Sequence, residues 1–565
     1  MKRAPREWTL PLPTGDVSGS AFERVARARG TTPELALAAS KSVGEEFDPS
    51  LLTDMDKAVE LIREAMARNE LIAIYGDYDA DGVTACALLV RAFRAAGREP
   101  LAYIPQRQSE GYGLNREALV ELRRQGASLV ITVDCGTTAV EVVRDRPDGL
   151  GLIITDHHLP HAEPGDGGIE LAPADALVNP QRPDDGYPWK GLAGVGVAYK
   201  LVVALEVSGL VPTGTAAAQL PLVALGTVAD MMPLQEENRW LVRQGLAAWT
   251  QHAPRGLALL AGIAGVEGTP SSGNLSFGLA PRINAAGRME DAFLALRCCL
   301  ADDEDDAKEA AAKLELLNRS RRSALALALS GAREVVAQMA DDLPAIVLGS
   351  TEIIPGVVGL VAGRLAEEYS RPTFVYSQTG QEWRGSARGV TGLNVVEALR
   401  RCSDHLLAYG GHLSAGGFSL PPDTAAADAF AAAMMTATRA QLGEREPCRT
   451  FKIDAEVKLG ECGLKLAEEL CLLQPCGTGN PAVLLCASGC TVVRTEVLGK
   501  SGGHLKVILK DGTGSAESIS FNRPHLRAHL PAGRKVDALF ELEVDCWGGR
   551  RKPRLMLRDL RPARH

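Results

Sequence analysis

Three apolar runs in the first third of the chain each stop on an aspartate: LIAIYGD at Asp77, SLVITVD at Asp134 and LGLIITD at Asp156. Runs of this kind suit strands buried on both faces, and the stretches between them, GVTACALLVRAFRAAG, NREALVELRRQG and TTAVEVVRD, suit helices. The alternation over residues 71–160 predicts an open, mostly parallel sheet covered by helices on both faces. In such a sheet the carboxyl ends of the strands face one crevice, so acids far apart in sequence meet there.

What those acids could do follows from their number. After Asp77 the chain reads Tyr78-Asp79-Ala80-Asp81-Gly82, and Asp156 is followed by His157 and His158. Carboxylates this close raise one another's pKa unless cations sit among them, and buried Asp and His are costly without partners. Oxygen ligands with added imidazole suit two divalent cations, Mn²⁺ or Mg²⁺, better than a structural zinc. Asp230, ending the apolar run LGTVAD, is a further candidate ligand. One alternative is a set of helix N-caps, the ordinary role of a lone Asp81 or Asp134. Another is a calcium loop, but Leu88 stands where its twelfth-position Glu would be, and a strand precedes the motif. Two divalent ions bridged by a carboxylate can activate water and stabilise both oxygens of a phosphoryl transfer, which predicts metal-assisted phosphoester hydrolysis.

A chain of 565 residues is too long for one core. We read an N-terminal segment (1–50), an α/β catalytic domain (51–300), a connecting helix (301–343), a second α/β domain (344–446) and a small all-β barrel (447–565). Residues 301–343 contain no proline and one glycine. As one helix of about 40 residues they would span about 60 Å, a strut between domains outside the packed cores. In the last part, HLKVILK and FELEVDC alternate with period two.

Composition narrows the setting. The formal net charge of -9 does not advertise a nucleic-acid binder, but it averages over an acidic run at Asp302–Asp306 and a basic tail, GGRRKPRLMLRDLRPARH. The 12 cysteines show no C-x-x-C spacing, which argues for reduced thiols. The start, MKRAPREWTLPLP, lacks an apolar signal region, and no run is long enough to span a bilayer, so the expectation is a cytoplasmic protein without membrane association. His525 and His529 have metal spacing on a helix, but no third ligand is apparent.

Asp156-His157-His158 with Asp77-Tyr78-Asp79-Ala80-Asp81-Gly82 resembles the DHH phosphoesterase superfamily. RINAAGR (282–288), PGVVGLVAGRL (355–365), GSAR (385–388), GGHLSAGGF (410–418) and PCGTGNP (475–481) together resemble its RecJ branch of single-strand-specific exonucleases. The resemblance implies a DHH parallel-sheet domain and a DHHA1 domain joined by the long helix, followed by an OB-fold. It implies one metal held by Asp77, Asp79 and Asp134 and a second by Asp81, Asp134, His157 and Asp230. His158 would lie toward the scissile phosphate, and Asp156 would orient the histidines. Arg107, Ser386 and Arg388 would receive a 5′-terminal phosphate, His412 another phosphate contact, and Arg282 the path of the strand. In the barrel, Lys500, Lys506, Arg550, Arg551 and Lys552 would follow the DNA backbone, with Phe521, Phe540 and Trp547 among few aromatics for stacking. Ile353-Ile354 replaces a frequent Trp-His, Gly416 a frequent Ala, and Cys476 a frequent Phe.

The function so implied is a 5′→3′ exonuclease on single-stranded DNA that releases 5′-mononucleotides in recombination and repair. The strand would thread a ring of domains too narrow for a duplex. A monomer is expected, with a single-strand-binding protein and a helicase as partners. The alternatives are a DHH phosphodiesterase for short oligonucleotides or cyclic dinucleotides, a pyrophosphatase, and a non-catalytic DNA-binding scaffold.

Overall fold

The computed structural model describes residues 1–9, 19–32, 34, 46–107, 110–111, 113–160, 169–443, 448–499, 503–545 and 551–563. It divides into two compact units, one of Met1–Pro5 with Glu45–Cys448 and the other of Arg6–Gly44 with Arg449–His565. Lys500, Cys546, Trp547 and Arg550 lie outside the described residues.

The larger unit opens with the expected parallel sheet. Its five strands run in the spatial order Leu101–Tyr103, Leu71–Gly76, Ala127–Val133, Gly151–Thr155 and Ala176–Val178. The chain leaves the first strand toward one edge and returns on its other side. The switch point therefore falls between Leu71–Gly76 and Ala127–Val133, where an open sheet forms its binding crevice. Asp77 and Asp134 are the next residues after these two strands. One face of the sheet is sealed by the helix Ala80–Ala95, whose residues are buried on nearly every side beneath the helices Gly194–Val207 and Thr215–Ala229. The other face packs on Leu119, Leu122 and Val143.

The connecting helix runs from Glu304 to Gln338, capped by Asp303, whose side chain accepts from the backbone N–H groups of Asp305 and Asp306. The expectation of a strut outside the packed cores does not hold. Ala310, Ala311, Leu314 and Leu317 belong to the core of the first sheet, and Ala328, Leu329, Ala332 and Val336 to a core beneath the second. The helix is therefore shared by two hydrophobic cores, each taking a different stretch of it.

The second sheet is mixed, in the order Ala408–Gly411, Ala415–Leu420, Trp383–Arg388, Thr373–Ser377 and Ile346–Ser350. Ile353, at the position of the missing Trp, is buried in the core that holds the end of the long helix.

In the smaller unit, the strands Leu485–Leu498, His504–Lys510, Ser515–Ser520, Lys552–Pro562 and Lys535–Asp545 pair in that order, and the last pairs back on the first, closing a barrel. Part of the N-terminal segment joins this unit. Arg6–Thr9 pairs in parallel with Arg449–Lys452, and the helix Ala21–Ala28, held by a Ser20/Glu23 capping box, buries Phe22 and Val25 against Leu466 and Leu470 of the barrel unit.

Candidate active site

At the crevice the backbone sets the acids. Asp79 is the N-cap of Ala80–Ala95, its Oδ1 accepting from the N–H groups of Asp81 (2.8 Å) and Gly82 (3.1 Å). The cap of this helix is thus Asp79, and not Asp81 or Asp134, for which the sequence alone allows the cap role. Asp81 is buried in the first turn and accepts from the N–H groups of Gly194 (2.7 Å) and Val195 (3.0 Å), which open the helix Gly194–Val207. Asp134 takes a left-handed backbone (φ 62), which Asp tolerates better than most residues. The carboxylates also need space. A Cβ on Gly194 would come within 2.6 Å of Asp134 Oδ1, and one on Gly226 within 2.7 Å of Asp81 Oδ1.

His157 stands at the centre. Its Nε2 lies 3.1 Å from Asp134 Oδ1, 3.6 Å from Asp230 Oδ2 and 4.0 Å from Asp81 Oδ2. The ligand atoms of Asp77, Asp79 and Asp134 form one close group, and those of Asp81, His157 and Asp230 another. Burial, reinforced by the neighbouring charges, pushes Asp77 and Asp134 well above the carboxylate range, Asp81 up to about 7 and Asp230 up to about 9. Burial, followed by the charge of His158, lowers His157 to about 4, so at neutral pH it is an uncharged imidazole suited to ligation. Asp77 Oδ1 and Asp134 Oδ1 are buried and make no hydrogen bond among the described residues, and the 3.1 Å approach of His157 Nε2 to Asp134 is not one. Carboxyl oxygens left without hydrogen bonds beside a neutral imidazole fit two divalent cations, which would take the place of the protons.

Asp156 is different in kind. Its Oδ1 accepts from the backbone of His157 (2.7 Å) and from His158 Nδ1 (2.8 Å), and its Oδ2 from the N–H of Thr137 (2.9 Å). Burial would raise its pKa, yet the bond from His158 and the histidine charges hold it below the usual range. Burial likewise opposes a charge on His158, but the Asp156 bond together with the charges of Asp156, Asp230 and Asp77 outweighs it and raises the pKa to about 9. Asp156 therefore orients and charges His158, while Asn179 anchors the His158 carbonyl (2.9 Å).

The remaining expected contacts divide. Arg107 lies over the Tyr78 ring at 5.0 Å, and Arg388 donates to Ser386 Oγ at 3.0 Å. Burial, followed by the charge of Arg107, lowers the pKa of Arg388. Arg288, which the sequence reading left aside, is lowered to about 10 by burial and by Arg107, Arg321 and Arg388. Guanidinium groups gathered in this way call for an anion. The His412 ring faces His158 at 6.2 Å between centroids.

Arg282 does not join them: its side chain bridges Glu315 on the long helix at 2.8 Å and donates to the Gly278 carbonyl. In the barrel unit, Lys506 pairs with Glu517 (2.8 Å), Arg551 with Glu468 (2.9 Å) and Lys552 with Asp545 (3.7 Å). Gly194, Val195, Asn179 and Asn284, whose Oδ1 accepts from the Ala80 N–H (2.8 Å), also escaped sequence reasoning. A second glycine at GVG (194–196) was the available sign of a helix start in close contact.

Family models match as the DHH family N-terminal domain over residues 71–227, the DHHA1 domain over 335–438 and the RecJ OB domain over 453–559. The single-stranded-DNA-specific exonuclease RecJ of Dickeya dadantii is 34% identical over 91% of this chain and 92% of its own length. The chain belongs to the RecJ family. The RecJ of Bacillus subtilis is 33% identical over 91% of this chain, which spans 64% of that relative's length. RecJ of Thermus thermophilus, solved with Mn²⁺ and with Mg²⁺, superposes with TM-scores of 0.79 and 0.74 at 32% and 30% identity, covering 99% of this chain and 80% and 79% of theirs.

Proposed function

We propose that the chain is a metal-dependent exonuclease that degrades single-stranded DNA from its 5′ end to 5′-mononucleotides. The observation that carries this reading is the pair of buried oxygens, Asp77 Oδ1 and Asp134 Oδ1, that make no hydrogen bond among the described residues, within a ring of acids around an uncharged His157. Asp77, Asp79 and Asp134 would hold one ion, and Asp81, Asp134, His157 and Asp230 the other, with Asp134 shared. Bound there, Mn²⁺ or Mg²⁺ would neutralise the acids, polarise the scissile phosphate and lower the pKa of water.

The chain's own groups supply position and charge. With Nδ1 committed to Asp156, His158 presents a cationic ring to a phosphate. Arg107, Ser386 and Arg388 would take the terminal 5′-phosphate, a bidentate task suited to guanidinium, and this would set the polarity. Glycines around His412 let backbone approach the strand. The barrel, with Lys506, Arg551 and Lys552, would add backbone contacts. A monomeric state, a single-strand-binding protein and a helicase as partners, and a place in repair belong to the same proposal, on the likeness to the RecJ family alone. Among the described residues no helix is long and apolar enough to cross a membrane.

The test is Mn²⁺ with 5′-labelled single-stranded DNA: labelled mononucleotide is expected, and EDTA should abolish it. Turnover confined to dinucleotides would indicate a small-substrate phosphodiesterase. Binding without release would indicate a scaffold.

A further inference from the structure

A cleft of about 980 Å³ runs from Asp156 and His158 along the glycine-rich strands of the second sheet. It widens the site beyond the metal cluster and the arginines around Arg388. Among the described residues lining it, one arginine or lysine appears: Arg384. It lies on the strand Trp383–Arg388, which also carries Ser386 and Arg388.

Strand geometry makes this placement informative. Trp383 and Ala387 point into the core of the second sheet, so Arg384, Ser386 and Arg388 share the opposite face. Their register partners on Ala415–Leu420 are Ser419, Gly417 and Ala415, a row in which Gly417 leaves the middle open. Successive members of the row are about 6.6 Å apart along the strand. That spacing is comparable to the step between consecutive phosphates of an extended single strand. Arg384 is exposed, whereas the cleft walls near it are largely glycine, histidine and apolar side chains. A guanidinium on such a wall suits a backbone phosphate, because bases offer no net charge to attract it.

We propose that Arg384 holds a backbone phosphate of the DNA strand, separate from the phosphate taken by Ser386 and Arg388. The row 384, 386, 388 then works as a ruler that fixes how far the strand is drawn in. The inference rests on the exonuclease reading above, and it deepens it by assigning a second phosphate subsite to the same strand.

The experiment is steady-state degradation of a 5′-phosphorylated oligothymidylate in Mn²⁺ over a series of KCl concentrations, with wild type, Arg384→Gln and Arg384→Lys. Removing one phosphate contact should weaken kcat/KM by about tenfold, through KM, at low salt. It should also make the plot of log kcat/KM against log salt shallower by about 0.7, a change that a purely structural role would not produce. Lys should restore the slope but not the full rate. In the substrate, a neutral methylphosphonate at one linkage should erase the difference between wild type and Arg384→Gln, and at other linkages leave it. An unchanged slope in Arg384→Gln, or a difference that no single linkage removes, overturns the subsite while leaving the exonuclease reading intact. A wild type that releases no nucleotide overturns that reading instead, and the subsite with it.

Discussion

Asp77 and Asp134 each bury an oxygen to which no group among the described residues donates, and that local imbalance has a measurable sign. Asp81 and Asp230 are raised from the ordinary 3.8 to about 7 and about 9, by burial first and then by the charge of Asp79 on Asp81 and of Asp81 on Asp230. The folded state binds these protons more tightly than the unfolded one. Their contribution to stability is present below the ordinary carboxylate pKa and is lost as pH rises toward 7 and 9. Cations replace the protons, so Mn²⁺ should raise Tm more at about pH 8.5 than at about pH 6. At a hundredfold excess over Kd the gain is about 2.7 kcal/mol. Thermal melts with and without EDTA measure it, and Asp134→Asn should erase most of the shift. Asp156→Asn should keep Mn²⁺ stoichiometry by calorimetric titration yet lose about 10–100-fold in activity, because it positions His158 and is not a ligand.

At the scale of elements, the helix Glu304–Gln338 couples two cores, and its substitutions should be felt in both. Leu314→Ala and Leu329→Ala each remove a buried side chain, at a cost of about 2–5 kcal/mol. Scanning calorimetry should show both lowering the same transition of the larger unit, and separate transitions would contradict the shared helix. Arg282, expected on the DNA path, ties the helix Ala280–Met289 to Glu315 instead. Glu315 keeps Arg319 at 2.7 Å, so Arg282→Ala should cost only about 1–2 kcal/mol. It should leave KM for single-stranded DNA unchanged, and a large rise in KM would return Arg282 to the strand's path.

For the whole molecule, the consequence lies in how the chain is divided. The barrel unit takes its first strand and first helix from Arg6–Thr9 and Ala21–Ala28, hundreds of residues before the barrel itself. Truncation after Cys448 would strip the cover from Trp8, Phe22 and Val25. Such a protein should aggregate, as light scattering would report. Removing residues 6–44 together with 449–565 should cure the aggregation.

The gathering of the acids was legible because its logic is local or nearly so: apolar runs ending on acids mark strand ends, and parallel strands bring their carboxyl ends together. The barrel's period-two strands were legible for the same reason, since alternation records which face is buried. Pairings between distant segments leave no such periodic trace. The union of Arg6–Thr9 with Arg449–Lys452, the N–H groups of Gly194 and Val195 beneath Asp81, and the capture of Arg282 by Glu315 each depend on which surfaces meet once the cores have closed. Residue chemistry and its period thus specified the elements and the acids at their ends. Only packing decided which cation faces the cleft and which is spent holding one helix to another.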